Sequence, residues 1–170
     1  KNEPLDRILP LVASELASEG LWHEEYAEGG RRCEWFAAMV DMLRARASTL
    51  KDFASRGRAF WSDEFPVDEK ARAKNLADPR LAELLPELAA RFEALDAFTL
   101  ESTEAALRGY ADEAGVKAGL LINAARTALT GSAVGPGMFD VIVALGRQRT
   151  VDRLRRVRAS GDTDGAGPRG

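Results

Sequence analysis

Apolar residues recur along this chain at spacings of three and four, the period at which one face of an α-helix returns. Leu5, Ile8, Leu9, Val12 and Leu16 form the first such stripe, and Gly20 closes it. Pro10 falls inside the stripe and predicts a kink or a late helix start. Residues 24–30 are acidic and loop-like. A second helix is predicted over 32–46, burying Trp35, Phe36, Met39, Val40 and Leu43 and turning Arg32, Arg44 and Arg46 away. Ser48 or Thr49 can cap a short helix through Leu50, Phe53 and Ala54 that stops at Gly57. Residues 59–67 are aromatic and acidic around Pro66, and read as a connector whose aromatics fill the core.

Helical spacing continues through the second half. A helix is predicted over 68–76, and Asp78-Pro79 opens another through Leu81, Leu84, Leu85, Leu88, Phe92 and Leu95. Thr99, with Ser102 competing, caps a helix over 100–114, and Gly115 makes a turn. The helix over 116–130 has a stripe of Leu120, Leu121, Ala124, Ala125, Ala128 and Leu129, and Thr130-Gly131 stops it. A Gly/Pro elbow follows over 132–137. Met138, Phe139, Ile142, Val143 and Leu145 then resume the helical pattern up to Gly146. No stretch alternates like a strand, so the predicted fold class is all-α, with two small helical bundles packed together. The breaks at Pro66, Asn75, Asp78 and Pro79 divide them into subdomains 1–75 and 76–158. The tail over 159–170 has no large apolar residue and is expected to be disordered.

Composition narrows the chemistry. A mix of 45% hydrophobic and 30% charged residues is ordinary for a globular domain, and 170 residues suffice for one compact domain or two small ones. The net charge of −3 means that any affinity for nucleic acid has to come from a local patch. One candidate is the last helix, where Arg147, Arg149, Arg153, Arg155, Arg156 and Arg158 face a single acid, Asp152. Those arginines either attract phosphates or complement a helix dipole, and the sequence leaves both open. The single Cys33 excludes an intrachain disulfide and a cysteine zinc site, and the single His23 leaves no metal cluster or His-centred triad. No membrane span or signal-peptide pattern is present, so a cytoplasmic protein without membrane contact is expected. The start at Lys1 suggests a piece of something longer.

Arg126-Thr127-Ala128-Leu129-Thr130-Gly131 is followed four residues later by Pro136-Gly137-Met138-Phe139-Asp140-Val141 and then Leu145-Gly146. This arrangement resembles the C-terminal anticodon-binding region of bacterial glutamyl-tRNA synthetases. The family has an R-x-A-L-T-G motif, a short loop with P-x-L-F, then L-L-G-K and a basic last helix. Ala124 and Ala125 stand where the family usually has proline and leucine. A second motif of the family, R-x-R-x-x-T-L, is matched by Arg44-Ala45-Arg46-Ala47-Ser48-Thr49-Leu50. The resemblance covers residues 32–158. It implies a helical anticodon-binding domain of a class I enzyme, a glutamate–tRNA ligase, whose partner is the anticodon arm of glutamate tRNA.

By the same resemblance Arg46 senses the third anticodon base, with Arg44 beside it, and Arg126 is the second arginine that matters. Gly135, Pro136 and Met138 offer backbone groups and a flat apolar surface to the other bases. Without it, an arginine on an amphipathic helix is ordinarily solvated surface, a Gly/Pro elbow is ordinarily a turn, and Met138 is ordinarily core. No catalytic residue is expected: the H-I-G-H and K-M-S-K-S signatures, a parallel βαβ pattern and a phosphate loop are all missing. ATP and magnesium belong to the catalytic part of the parent enzyme, no cofactor is expected here, and a monomer is expected. Two other readings remain. One is a helix-turn-helix DNA-binding domain over 104–129 pivoting on Gly115, although Leu120, Leu121 and Ile122 make its second helix very apolar. The other is a helical protein–protein interaction module.

Overall fold

In the computed structural model, the structure describes the backbone of residues 3–165 and the side chains of residues 3–157. Every regular element among the described residues is helical. The chain divides into two units, Lys1–Phe65 and Pro66–Gly170.

The first unit holds α1 (Leu5–Ser18), a single 3-10 turn (Glu24–Tyr26), α2 (Cys33–Arg44), α3 (Leu50–Ser55) and α4 (Arg58–Trp61). The predicted break at Pro10 is not a late start. α1 begins directly after Pro4, whose φ of −58° already suits a helix, and carries Pro10 within it while Val12 and Leu16 are buried. The core is aromatic. Tyr26 stacks on Phe36 with ring centroids 5.5 Å apart, and Trp61 meets Tyr26 edge-on at 5.9 Å. The Trp61 indole N–H donates to the Phe53 carbonyl at 2.7 Å, so this buried polar atom is satisfied. Phe60 and Trp61, expected to fill the core from a connector, do so from the short helix α4.

The second unit holds α5 (Glu69–Asn75), α6 (Leu81–Glu93), α7 (Leu100–Ala114), α8 (Ala118–Thr130), α9 (Met138–Leu145) and α10 (Arg147–Gly165). α8 is its centre and touches α5, α6, α7, α9 and α10. The Asp68 carboxylate caps α5 by accepting from the Ala71 N–H at 2.9 Å, and the Thr99 hydroxyl caps α7 by accepting from the Ser102 N–H at 3.0 Å. Gly115 closes α7 in the left-handed conformation at φ 72°.

Three boundaries differ from those the sequence predicts. The units divide at Pro66 rather than after residue 75, because α5 is tied to α8: the buried Asn75 amide donates to the Thr127 hydroxyl at 3.0 Å. α2 ends at Arg44, so Arg46 lies in the turn beyond the helix and not on it. Of the tail expected to be disordered, the backbone through Gly165 continues α10, and residues 166–170 lie outside the described residues.

The helix-turn-helix reading meets a steric objection. A recognition helix must leave one face free for the groove. α8 exposes only Gly119 and Asn123, since its Leu121, Ala124, Ala125, Ala128 and Leu129 are buried among its neighbours.

Candidate functional site

In the second unit, the end of α8 shapes the loop that follows it. Arg126 lies one turn before the helix end, half-buried, and its guanidinium donates to the Pro136 carbonyl at 2.6 Å. The Thr130 hydroxyl donates to the Arg126 carbonyl at 2.8 Å and accepts from the Ser132 N–H at 3.2 Å. The Ser132 hydroxyl in turn donates to the Val134 carbonyl at 3.1 Å. Short polar side chains thus replace the helix ladder where glycine has ended it.

Gly131 must be glycine for two reasons. It sits at φ 77°, and a Cβ there would lie 2.2 Å from the Pro66 carbonyl oxygen. The Gly131 carbonyl accepts from the Asp68 N–H at 2.8 Å, which pins the strap before α5 to the same turn. Below the turn, Arg153 is almost fully buried and donates to the Leu129 carbonyl at 2.7 Å. A guanidinium at the carboxyl end of α8 faces the negative end of that helix dipole.

Sequence reasoning brought Arg126, Gly135, Pro136 and Met138 to one place, and the structure does the same, with one exchange of roles. Met138 is only 4% exposed and supports the loop from inside, so it offers no apolar surface. Val134, at 75% exposed, is the large apolar side chain the loop presents. Its exposure was not legible in the sequence, because loop exposure depends on what lies underneath. Gly135 and Pro136 are half-buried, and a Cβ on Gly135 would lie 3.5 Å from the Arg126 guanidinium.

In the first unit, Arg44 and Arg46 have different fates. The Arg44 guanidinium pairs with Asp41 at 2.8 Å and donates to the Glu3 carbonyl at 2.8 Å, so it is spent on the fold. Arg46 is exposed, and among the described residues its guanidinium has no hydrogen-bond or ion-pair partner. The turn that carries it is well held. The Asp52 carboxylate accepts from the Ser48 N–H at 2.7 Å and the Thr49 N–H at 3.2 Å, completing a cap for α3. Those two amide bonds hold the Asp52 carboxyl below its ordinary range, with a smaller contribution from Arg56.

The basic last helix turns out to be structural where it is described. Arg147 donates to the carbonyls of Phe92, Glu93, Leu95 and Asp96, collecting the carboxyl end of α6. Arg155 pairs with Glu93 at 2.8 Å and lowers its pKa. Neither Arg149 nor Arg156 is free, and the Arg158 side chain lies outside the described residues. The dipole reading left open by the sequence therefore fits Arg147 and Arg153, but the helices they complement are α6 and α8 rather than their own. Among the described residues, no group of three His, Cys, Asp or Glu is placed to hold a metal ion. No helix among them is long and apolar enough to cross a membrane.

Comparison with known proteins places this geometry. A family model described as an anticodon binding domain matches residues 7–158. The glutamate–tRNA ligase of Desulfotalea psychrophila is 44% identical over 156 residues, which are 91% of this chain and 31% of that protein. Glutamate–tRNA ligase 2 of Koribacter versatilis is 44% identical over 155 residues, again 91% of this chain and 31% of that protein. The crystal structure of a glutamate tRNA ligase from Elizabethkingia meningosepticum, in complex with its amino acid, superposes with a TM-score of 0.77 at 24% identity. It is covered to 30% by 93% of this chain, and at that identity it speaks for the fold alone. The chain spans about a third of the length of the curated relatives it matches (31% of each).

Proposed function

We propose the following function for a chain that belongs to the anticodon binding domain family. It binds the anticodon arm of glutamate tRNA as part of a longer glutamate–tRNA ligase. The observation that carries this reading is the exposed Arg46 guanidinium, without a partner among the described residues, on a turn braced by Asp52. A reader of single-stranded bases needs unspent donors on a rigid support. Guanidinium donors match the O2 and N3 acceptors of cytosine. On the same edge guanine presents N–H donors, which oppose them. Arg46 therefore favours cytosine, as in a glutamate anticodon, over the guanine of a glutamine anticodon.

The loop of the second unit has a complementary task. Its exposed Val134 supplies an apolar surface for a base, and Gly135, which has no side chain and is half-buried, lets a base approach the backbone. Arg126 adds positive charge and, through Pro136, sets the loop's shape. The attachment of glutamate to tRNA, with its ATP and magnesium, is proposed for the longer parent protein, acting as a cytoplasmic monomer. None of that chemistry is assigned to residues of this chain.

The test is a low-salt titration of the chain with a glutamate anticodon stem-loop. The same loop with its third anticodon base changed from C to G is measured beside it, as is Arg46→Ala. A preference for the C loop that disappears in the variant supports the reading. Equal binding of both loops by the unchanged chain removes Arg46 as discriminator, and no binding by folded protein removes the tRNA reading altogether.

A further inference from the structure

The chain carries a net charge of −3, yet residues 41–58 hold five cations, Arg44, Arg46, Lys51, Arg56 and Arg58, against Asp41 and Asp52 alone. The structure sorts these cations by what they already do. Arg44 is paired with Asp41, and Arg58 donates to the Glu64 carbonyl at 3.1 Å. Lys51 is exposed and, like Arg46, has no side-chain partner among the described residues. Arg56 is held only loosely. Its side chain is 70% exposed and stands 3.8 Å from Asp52, and one of its nitrogens reaches the Arg46 carbonyl at 3.4 Å.

That last contact places a second guanidinium directly beside the backbone of Arg46. The Asp52 carboxylate does little to neutralise it, because its other oxygen is occupied by the Ser48 and Thr49 amides. The contrast with the last helix is informative. Arginines are denser there, but Arg147, Arg153 and Arg155 are committed to carbonyls and to Glu93.

We infer that the electrostatic footprint for RNA in this chain is the turn between α2 and α3, with Arg56 a phosphate-binding residue beside Arg46. This rests on the function proposed above and assigns a new residue to that site. The division of labour follows from chemistry. A loosely held, exposed guanidinium suits a phosphate, whose charge is the same at every nucleotide, and so adds affinity without sequence preference. Lys51 strengthens the field without a fixed geometry.

The experiment measures binding of the C and G stem-loops against salt concentration for the full 170-residue chain and for Arg56→Ala, Arg56→Lys and Arg56→Gln. Arg108→Ala, on α7 of the second unit, removes the same unit of charge as a control. Expected is an equal, several-fold loss of affinity for both loops in Arg56→Ala. With it the slope of log K against log salt should fall by about 0.7–1, the share of one phosphate. Lysine restores both affinity and slope, glutamine restores neither, and Arg108→Ala changes neither.

An unchanged affinity and slope in Arg56→Ala, with the unchanged chain still preferring the C loop, overturns the inference and leaves the proposed function standing. A loss restored by glutamine rather than lysine also overturns it, since Arg56 would then act only by bonding the Arg46 carbonyl. If the folded, unchanged chain binds neither loop, the proposed function falls first and this inference with it.

Discussion

The Arg126 guanidinium donates to the carbonyl of Pro136, ten residues further along the chain, at 2.6 Å. This bond, with the Thr130–Ser132 contacts, closes the loop after α8 upon the helix that precedes it. Arg126 is thus as much the loop's brace as a surface charge. Arg126→Ala should cost about 1.5–2 kcal/mol of stability, the lower range for a hydrogen bond to a charged donor on a half-buried group. It should also speed amide exchange at residues 132–135 while leaving α7 protected. Exchange that rises equally along all of α8 would show that Arg126 supports the helix and not the loop.

Gly131 and Gly115 share the left-handed conformation, at φ 77° and 72°, but not the same surroundings. Alanine at Gly115 meets nothing within 4 Å and should cost only the conformational penalty of about 1–2 kcal/mol. Alanine at Gly131 bears that penalty and must also displace the Pro66 carbonyl. Urea titrations should therefore give a clearly lower midpoint for Gly131→Ala than for Gly115→Ala. Equal midpoints would mean that the strap at Pro66 yields freely.

Arg153 is the buried guanidinium under the same turn. Arg153→Met keeps much of the volume but strips the Leu129 carbonyl of its donor. The expected loss is about 1–3 kcal/mol, the cost of an unsatisfied buried acceptor. Arg153→Lys should recover part of it. A methionine variant as stable as the parent chain would indicate that packing alone is required there.

Acid should loosen two named contacts. Asp52 is held below its ordinary pKa of 3.8 by the Ser48 and Thr49 amides, and Glu93 below 4.5 by Arg155. A carboxyl made more acidic by folding contributes its full stability above its unfolded pKa. That contribution is lost as pH falls through the lower, folded value. Stability should therefore be level through neutral pH and fall below about pH 4. Asp52→Ala should be less stable than the parent at pH 7, and the gap should close as pH falls through the lowered, folded pKa of Asp52. A gap that persists in acid would assign Asp52 a role other than capping α3.

The sequence alone determined the helical class, the order of the longer helices and most of the buried stripes, because 3.6-residue periodicity is a local property. Leu84, Leu85, Leu88 and Phe92 were legible in this way, as was the stop at Gly131. The family was also legible, from two short motifs whose spacing survives without any knowledge of the fold. What the sequence could not decide was which side chains are already spent. Arg44 and Arg46 are two residues apart, yet the guanidinium of one is tied to Asp41 and Glu3 while that of the other has no partner among the described residues. The six arginines of 147–158 could have attracted phosphates or complemented a helix dipole, and Arg147 and Arg153 in fact reach back across more than twenty residues to the carboxyl ends of α6 and α8. Met138 and Val134 exchanged roles in the same manner, one buried and the other exposed. Each of these outcomes depends on which distant backbone carbonyl, acid or apolar face lies opposite a side chain, and that is decided by tertiary packing.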